Sequence, residues 1–151
     1  MIAIGSRLPE HDFTFITPEG KVTRSSADLF GGKRVVLFSV PGAFTPTCNA
    51  RHLPGFIGHS AQFRAKGIDT IACMAVNDAF VMDAWGKDKG VGTKILMLAD
   101  GNCAYTKSLD LTLDASGSER PGELRQRALG HLIGDVGDDA ANPGGRGDQN
   151  D

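Results

Sequence analysis

The sequence predicts an α/β fold in which a mostly parallel sheet is flanked by helices, and three observations carry that expectation. Val35–Val40 and Asp69–Val76 are short apolar runs, the second apolar on both of its faces, as a strand covered on both sides of a sheet would be. Each run is followed by a segment with apolar residues at helical spacing, so the order through Ala99 reads β, β, α, β, α, β. A length of 151 residues with 40% hydrophobic content suffices for one ordinary domain with a sizeable core.

Taken in order, Ile2–Glu10 leads into Asp12–Ile16, which alternates as a strand and ends at the corner Thr17-Pro18-Glu19-Gly20. Ser25–Phe30 reads as one helical turn released by Gly31-Gly32 into the strand Arg34–Val40. The Pro/Gly cluster from Pro41 stops that strand, and Thr47-Cys48 opens a helix running from Asn49 to about Lys66. Pro54 lacks an N–H and is expected to bend this helix one to two turns after Cys48. Asp69–Val76 belongs in the middle of the sheet. Asn77 or Asp78 caps a further helix with an expected buried stripe of Phe80, Val81, Ala84 and Trp85. Lys94–Ala99 is the next strand, followed by the turn Asp100-Gly101-Asn102, a short helix over Cys103–Leu109 and the segment Leu111–Leu113. Beyond Gly117 the chain becomes rich in Gly, Asp and Arg. Only Leu124, Ala128, Leu132 and Ile133 fall at helical spacing, which predicts one weak helix and then disorder from about Gly134. The organisation expected is therefore a folded domain over 1–117 and a divergent tail over 118–151.

A formal charge of −2 without a basic stripe argues against nucleic-acid partners. No apolar run has the length of a membrane span, and Met1–Gly5 lacks a signal peptide's charged and apolar regions, so a cytoplasmic location is expected. The three cysteines, Cys48, Cys73 and Cys103, have no CxxC spacing. They suit neither a disulfide framework nor a structural zinc site, which leaves reactive or buried thiols.

Cys48 is the candidate reactive thiol. First-turn amides have no intrahelical partner and the helix start carries partial positive charge, which favours S⁻ over SH. A free thiol of pKa about 8.5 is about 3% ionised at pH 7, so full ionisation gains only roughly 30-fold. Fast attack on a peroxide also needs donors aligned on the departing oxygen. Pro41 would shield the sulfur from water, and the Thr45 hydroxyl, three residues before Cys48, can bond to sulfur or peroxide.

Pro41-x-x-x-Thr45-x-x-Cys48, in the fuller form Pro-Gly-Ala-Phe-Thr-Pro-Thr-Cys, is followed by His52-Leu53-Pro54-Gly55-Phe56 and later by Val76-Asn77-Asp78-Ala79-Phe80-Val81. Over about residues 4–117 the chain resembles the type II peroxiredoxins, the peroxiredoxin-5 subfamily of the atypical two-cysteine group. The resemblance implies a thioredoxin-like fold and a peroxidatic Cys48 supported by Pro41 and Thr45. It implies a thiol-dependent peroxidase that reduces hydrogen peroxide and alkyl hydroperoxides through a Cys48 sulfenic acid. No bound cofactor or metal is implied; the co-substrate is a thiol reductant, glutaredoxin/glutathione or thioredoxin. Homodimers are implied as well. Cys73 stands where plant-like members carry a resolving cysteine, with core packing the plain alternative. Family members continue past the Gly117 region with an arginine-bearing segment, two strands and a final helix. That pattern is not readable here, so the sheet is expected to lack the last two strands, with Arg127 the nearest candidate for the active-site arginine. Without that arginine the alternative function is an impaired, redox-sensitive binding protein or holdase. His52, one turn after Cys48, reads as structural rather than as a metal ligand, and Cys103 as incidental.

Overall fold

The structure is a computed structural model and describes residues 2–114, 126–128 and 130–136, with side chains described through Thr112. A mixed sheet of six strands runs in the order Gly20–Ser25 (β2), Asp12–Thr17 (β1), Leu96–Ala99 (β5), Thr70–Ala75 (β4), Lys33–Val40 (β3) and Gly130–Val136 (β8). Its centre is parallel: β3 (Lys33–Val40) pairs with β4 (Thr70–Ala75), and β4 with β5 (Leu96–Ala99). The hairpin β1 (Asp12–Thr17) and β2 (Gly20–Ser25) turns on the Thr17 hydroxyl, which donates to the Gly20 carbonyl at 3.1 Å and accepts the Glu19 amide at 3.3 Å. Thr14 of β1 lies antiparallel to Ala99 of β5.

Alternation along the central strands splits the core between the two faces of the sheet. Val36, Phe38 and Val40 of β3 join Ile71, Cys73 and Ala75 of β4 on one face. There they pack with Leu53 of α2 (Leu53–Ala65) and with Met82 and Trp85 of α3 (Ala79–Asp88). Val35, Leu37, Ala72 and Met74 face the other way, against Phe30 of α1 (Ser26–Phe30) and Tyr105 of α4 (Ala104–Ser108). The thioredoxin-like α/β fold expected from the sequence is the fold found, and β4 lies inside the sheet because both of its faces are covered.

Three expectations are corrected. The buried face of α3 carries Ala79, Met82, Trp85 and Gly86, whereas Phe80 is 67% exposed, Ala84 is exposed and Val81 is only partly covered. Gly86 sets this rotation, since a Cβ there would lie 3.0 Å from Met97 Cγ and 3.1 Å from Val91 Cγ2. A Cβ there would require Met97 and Val91 to shift, so glycine favours this close approach of the helix to β5. Secondly, the strand expected over Lys94–Ala99 is the shorter β5, which begins at Leu96 and lies between β4 and β1.

The third concerns the C-terminal region. The weak helix expected there is replaced by β7 (Gln126–Ala128), which pairs with β6 (Thr112–Asp114), and by β8 (Gly130–Val136), which pairs antiparallel with β3 from Lys33 to Ser39. One further strand, β8, thus covers the β3 edge of the sheet, while β6 and β7 form a separate two-stranded sheet. A strand as apolar as β3 needs backbone partners on both edges, and β4 supplies only one. Gly130 and Gly134 weaken the helix that Ala128, Leu132 and Ile133 suggested, so pairing with β3 prevails. Disorder was expected from Gly134, yet Gly134–Val136 are part of β8. Gly117, Leu124 and residues 137–151 lie outside the described residues.

Candidate active site

Where β3 ends, the chain must turn from the sheet into the helix layer, and Pro41–Thr47 makes that turn. The Thr45 hydroxyl donates to the Gly42 carbonyl at 2.8 Å, closing the loop on itself. A Cβ at Gly42 would sit 3.2 Å from Thr45 Cγ2, so this closure needs glycine or a shift of Thr45. Phe44 is left in the left-handed region at φ 59° with its side chain 49% exposed. That conformation costs a non-glycine residue about 1–2 kcal/mol, and surrounding contacts must hold it. Two come from across the fold: the Ala43 amide donates to Asn77 Oδ1 at 2.9 Å, and the Phe44 ring lies 6.3 Å from that of Trp85.

The Asn49 amide donates to the Thr45 carbonyl at 2.8 Å, the first backbone bond of the helical segment. The amides of Thr47 and Cys48 come ahead of it, as expected for a thiol in a helix's first turn. Cys48 then opens a π turn, Cys48–His52, in which the Leu53 amide reaches back to the Cys48 carbonyl. The bend expected from Pro54 takes this form: proline cannot donate to Ala50, and widening the preceding turn relieves the clash of its ring. Cys48 is 5% exposed and belongs to the same core cluster as Cys73.

Cys73 lies on β4 opposite Phe38 and is wholly buried. Burial pushes its thiol well up, and charge on the nearby Cys48 pushes it further, so Cys73 is held in its protonated form. Cys103 is also buried, at φ 58°, and its thiol is raised by burial and then by Asp100. Asp100 accepts the amides of Tyr105 and Thr106 and the Thr106 hydroxyl at 2.6–3.1 Å, fixing the start of α4. The His52 ring lies 5.5 Å from Phe38 and 5.8 Å from Phe56, on the side of a groove of about 430 Å³ along α2.

Arg127 sits on β7 opposite Leu113, and its side chain lies outside the described residues. Its backbone position is informative. Gly130 pairs with Ser39, so Arg127, three residues upstream, comes in at the end of β3 that leads into Pro41. The structure thus brings Pro41, Thr45 and Cys48 into one loop and turn, places the Arg127 backbone towards the same end of the sheet, and keeps Cys73 in the core cluster that Cys48 also joins. The partners that sequence reasoning missed are Asn77 and Asn49. The Trp85 indole N–H donates to Asn49 Oδ1 at 2.9 Å, next to Cys48.

The family model described as Redoxin matches residues 3–129. Peroxiredoxin-2E, chloroplastic, from Arabidopsis thaliana is 47% identical over 115 residues, covering 75% of this chain and 49% of that protein. Peroxiredoxin-2B from the same plant is 40% identical over 136 residues, covering 89% of this chain and 83% of that one. The chain belongs to the peroxiredoxin family. It spans about half the length of the first relative, 49%, and most of the second, 83%. Among solved peroxiredoxin structures, reduced Prx3 in complex with hydrogen peroxide from Vibrio vulnificus has a TM-score of 0.76 at 48% identity, covering 85% of this chain and 77% of that one.

Proposed function

We propose that this peroxiredoxin is a thiol peroxidase whose Cys48 thiolate attacks one oxygen of hydrogen peroxide or an alkyl hydroperoxide. The S–O bond forms as the O–O bond breaks, sulfur is oxidised to the sulfenic acid, and the other oxygen leaves with a proton as water or alcohol. A reductant thiol then displaces the sulfenic oxygen as water, giving a mixed disulfide, and a second thiol releases Cys48 while the two reductant sulfurs join. The reductant is a glutaredoxin/glutathione or thioredoxin system.

One observation carries the reading: Cys48 stands at the start of a helical turn, with two amides ahead of the first backbone bond and Thr45 in the same loop. The single hydrogen of the Thr45 hydroxyl is committed to Gly42, so towards a peroxide O–H this oxygen acts as acceptor. The donors are the first-turn amides and, in this proposal, the guanidinium of Arg127, with Pro41 limiting water. External thiols are preferred over Cys73 as the first resolving partner. Cys73 is protonated and enclosed, and it could reach Cys48 only if the turn opened. The exposed Phe44 and Phe80 support a homodimer that covers this end of the molecule.

The experiment is peroxide consumption with glutathione and glutaredoxin, or thioredoxin and its reductase, followed by NADPH oxidation. Turnover that disappears in Cys48→Ser is expected. Turnover that persists in Cys48→Ser would defeat the assignment.

A further inference from the structure

The loop that presents Cys48 is strained at Phe44 and closes locally on one side-chain hydrogen bond, from Thr45 to Gly42. Strain of this kind persists only where the surroundings over-determine the conformation. Two buttresses reach it from one direction. Asn77, just before α3, accepts the Ala43 amide at 2.9 Å, and Trp85, on the buried face of α3, donates to Asn49 Oδ1 at 2.9 Å. They bracket the reactive segment, one before Phe44 and one directly after Cys48.

Neither contact is needed to build α3. The helix is capped by Asp78, whose carboxylate accepts the Val81 amide at 2.9 Å, which leaves the Asn77 side chain for the loop. Asn77 is itself backed by Gly101, where an added Cβ would lie 3.5 Å from the Asn77 carbonyl oxygen. Trp85 is fully buried, so its indole N–H would be left without a partner if Asn49 moved away. The Asn49 amide in turn holds the Thr45 carbonyl at 2.8 Å, linking the second buttress back to the loop.

We propose that Asn77 and Trp85 are positioning residues for Cys48, acting together from α3 as a two-point clamp that fixes the Ala43 amide and the Asn49 side chain. The clamp holds the first-turn amides and the sulfur in the arrangement a peroxide requires. This inference rests on the peroxidase reading of Cys48, but the clamp itself has a readout that does not.

The test compares wild type with Asn77→Ala, Trp85→Phe, Asn49→Ala and the Trp85→Phe/Asn49→Ala pair. Three readouts are used: peroxide reduction by stopped flow, alkylation of Cys48 by iodoacetamide at the same pH, and thermal melting. Each single variant should lose about 10-fold in peroxide rate, as expected for one hydrogen bond. Alkylation needs no donors on a departing oxygen and should fall far less than the peroxide rate. The double variant should be no slower than the slower single one, because both substitutions remove one contact. Peroxide rates within 2-fold of wild type, or peroxide and alkylation rates falling in parallel with melting temperature, would overturn the proposal. Hydrogen exchange over residues 41–49 reads the clamp directly and should speed up in Asn77→Ala and Trp85→Phe. If wild type reduces peroxide no faster than a free thiol, the peroxidase reading falls and exchange alone decides: unchanged exchange overturns the clamp, and faster exchange upholds it.

Discussion

Replacing Thr45 by valine separates its role in the loop from its role towards a peroxide. Valine keeps the branched shape and the methyl group that packs at Gly42, and replaces only the hydroxyl that donates to the Gly42 carbonyl at 2.8 Å. The residue is half-buried, so water can partly replace the lost bond and the stability cost should be about 1 kcal/mol. For a domain of this size that is a fall of about 2–4 °C in melting temperature. A kinetic cost accompanies it. An oxygen that accepts the O–H of a neutral peroxide is worth about 0.5–1.5 kcal/mol, or about 2–10-fold in rate, with about 5-fold expected. The assay is stopped-flow peroxide reduction beside a melting curve, with Thr45→Ser, which retains the hydroxyl, as the control. Serine should recover most of the rate. A valine variant within 2-fold of wild type, with the melting temperature lowered as expected, would refute a role for Thr45 beyond the loop.

Further expectations concern the buried thiol, the phenol and the C-terminal strands. Arg127→Ala should lower the peroxide rate by at least 10-fold with little change in melting temperature, as loss of a charge-assisted donor would; an unchanged rate would remove Arg127 from the site. Cys73→Ala should leave the first peroxide turnover unaltered, and mass spectrometry of oxidised wild type should find Cys48 trapped by dimedone rather than joined to Cys73. A quantitative Cys48–Cys73 disulfide would show that the turn opens readily. Burial holds Cys73 protonated and raises the Tyr105 phenol to about 12, so the folded state keeps protons that the unfolded chain releases. Their contribution to stability is complete below about pH 8.5, where the unfolded thiol is still protonated, and it declines as pH rises further, at up to about 1.4 kcal/mol per pH unit for each group. Urea midpoints should therefore fall between about pH 8.5 and 10.5, less steeply in Cys73→Ala, and a flat profile would contradict the assignment.

The reactive segment was legible because its signals are local. A β-branched run, a proline and glycine stop and a thiol at a helix start lie within Val35–Cys48, and each acts on its neighbours in the chain. The clamp on that segment was not legible. Asn77 meets Ala43 across 34 positions and Trp85 meets Asn49 across 36, and neither pairing leaves a periodic trace in the sequence. The face of α3 was misread for a related reason. Two apolar stripes compete on that helix, and the choice falls to Gly86 against Met97 and Val91, a contact between elements. Gly130–Val136 was missed as a strand because its composition is poor in strand formers; what recruits it is the open edge of β3, a property of the assembled sheet.

The central proposal is that Cys48 attacks peroxide from among aligned donors, and single-turnover stopped flow with hydrogen peroxide tests it most directly. Complete ionisation explains only about 30-fold over a free thiol at pH 7. A rate constant well beyond that gain in wild type, lost in Cys48→Ser and retained in Cys73→Ala, is the predicted result. A wild-type rate no more than about 30-fold above a free thiol would contradict the account, because ionisation alone would then suffice and the donors assembled around Cys48 would contribute nothing to the reaction.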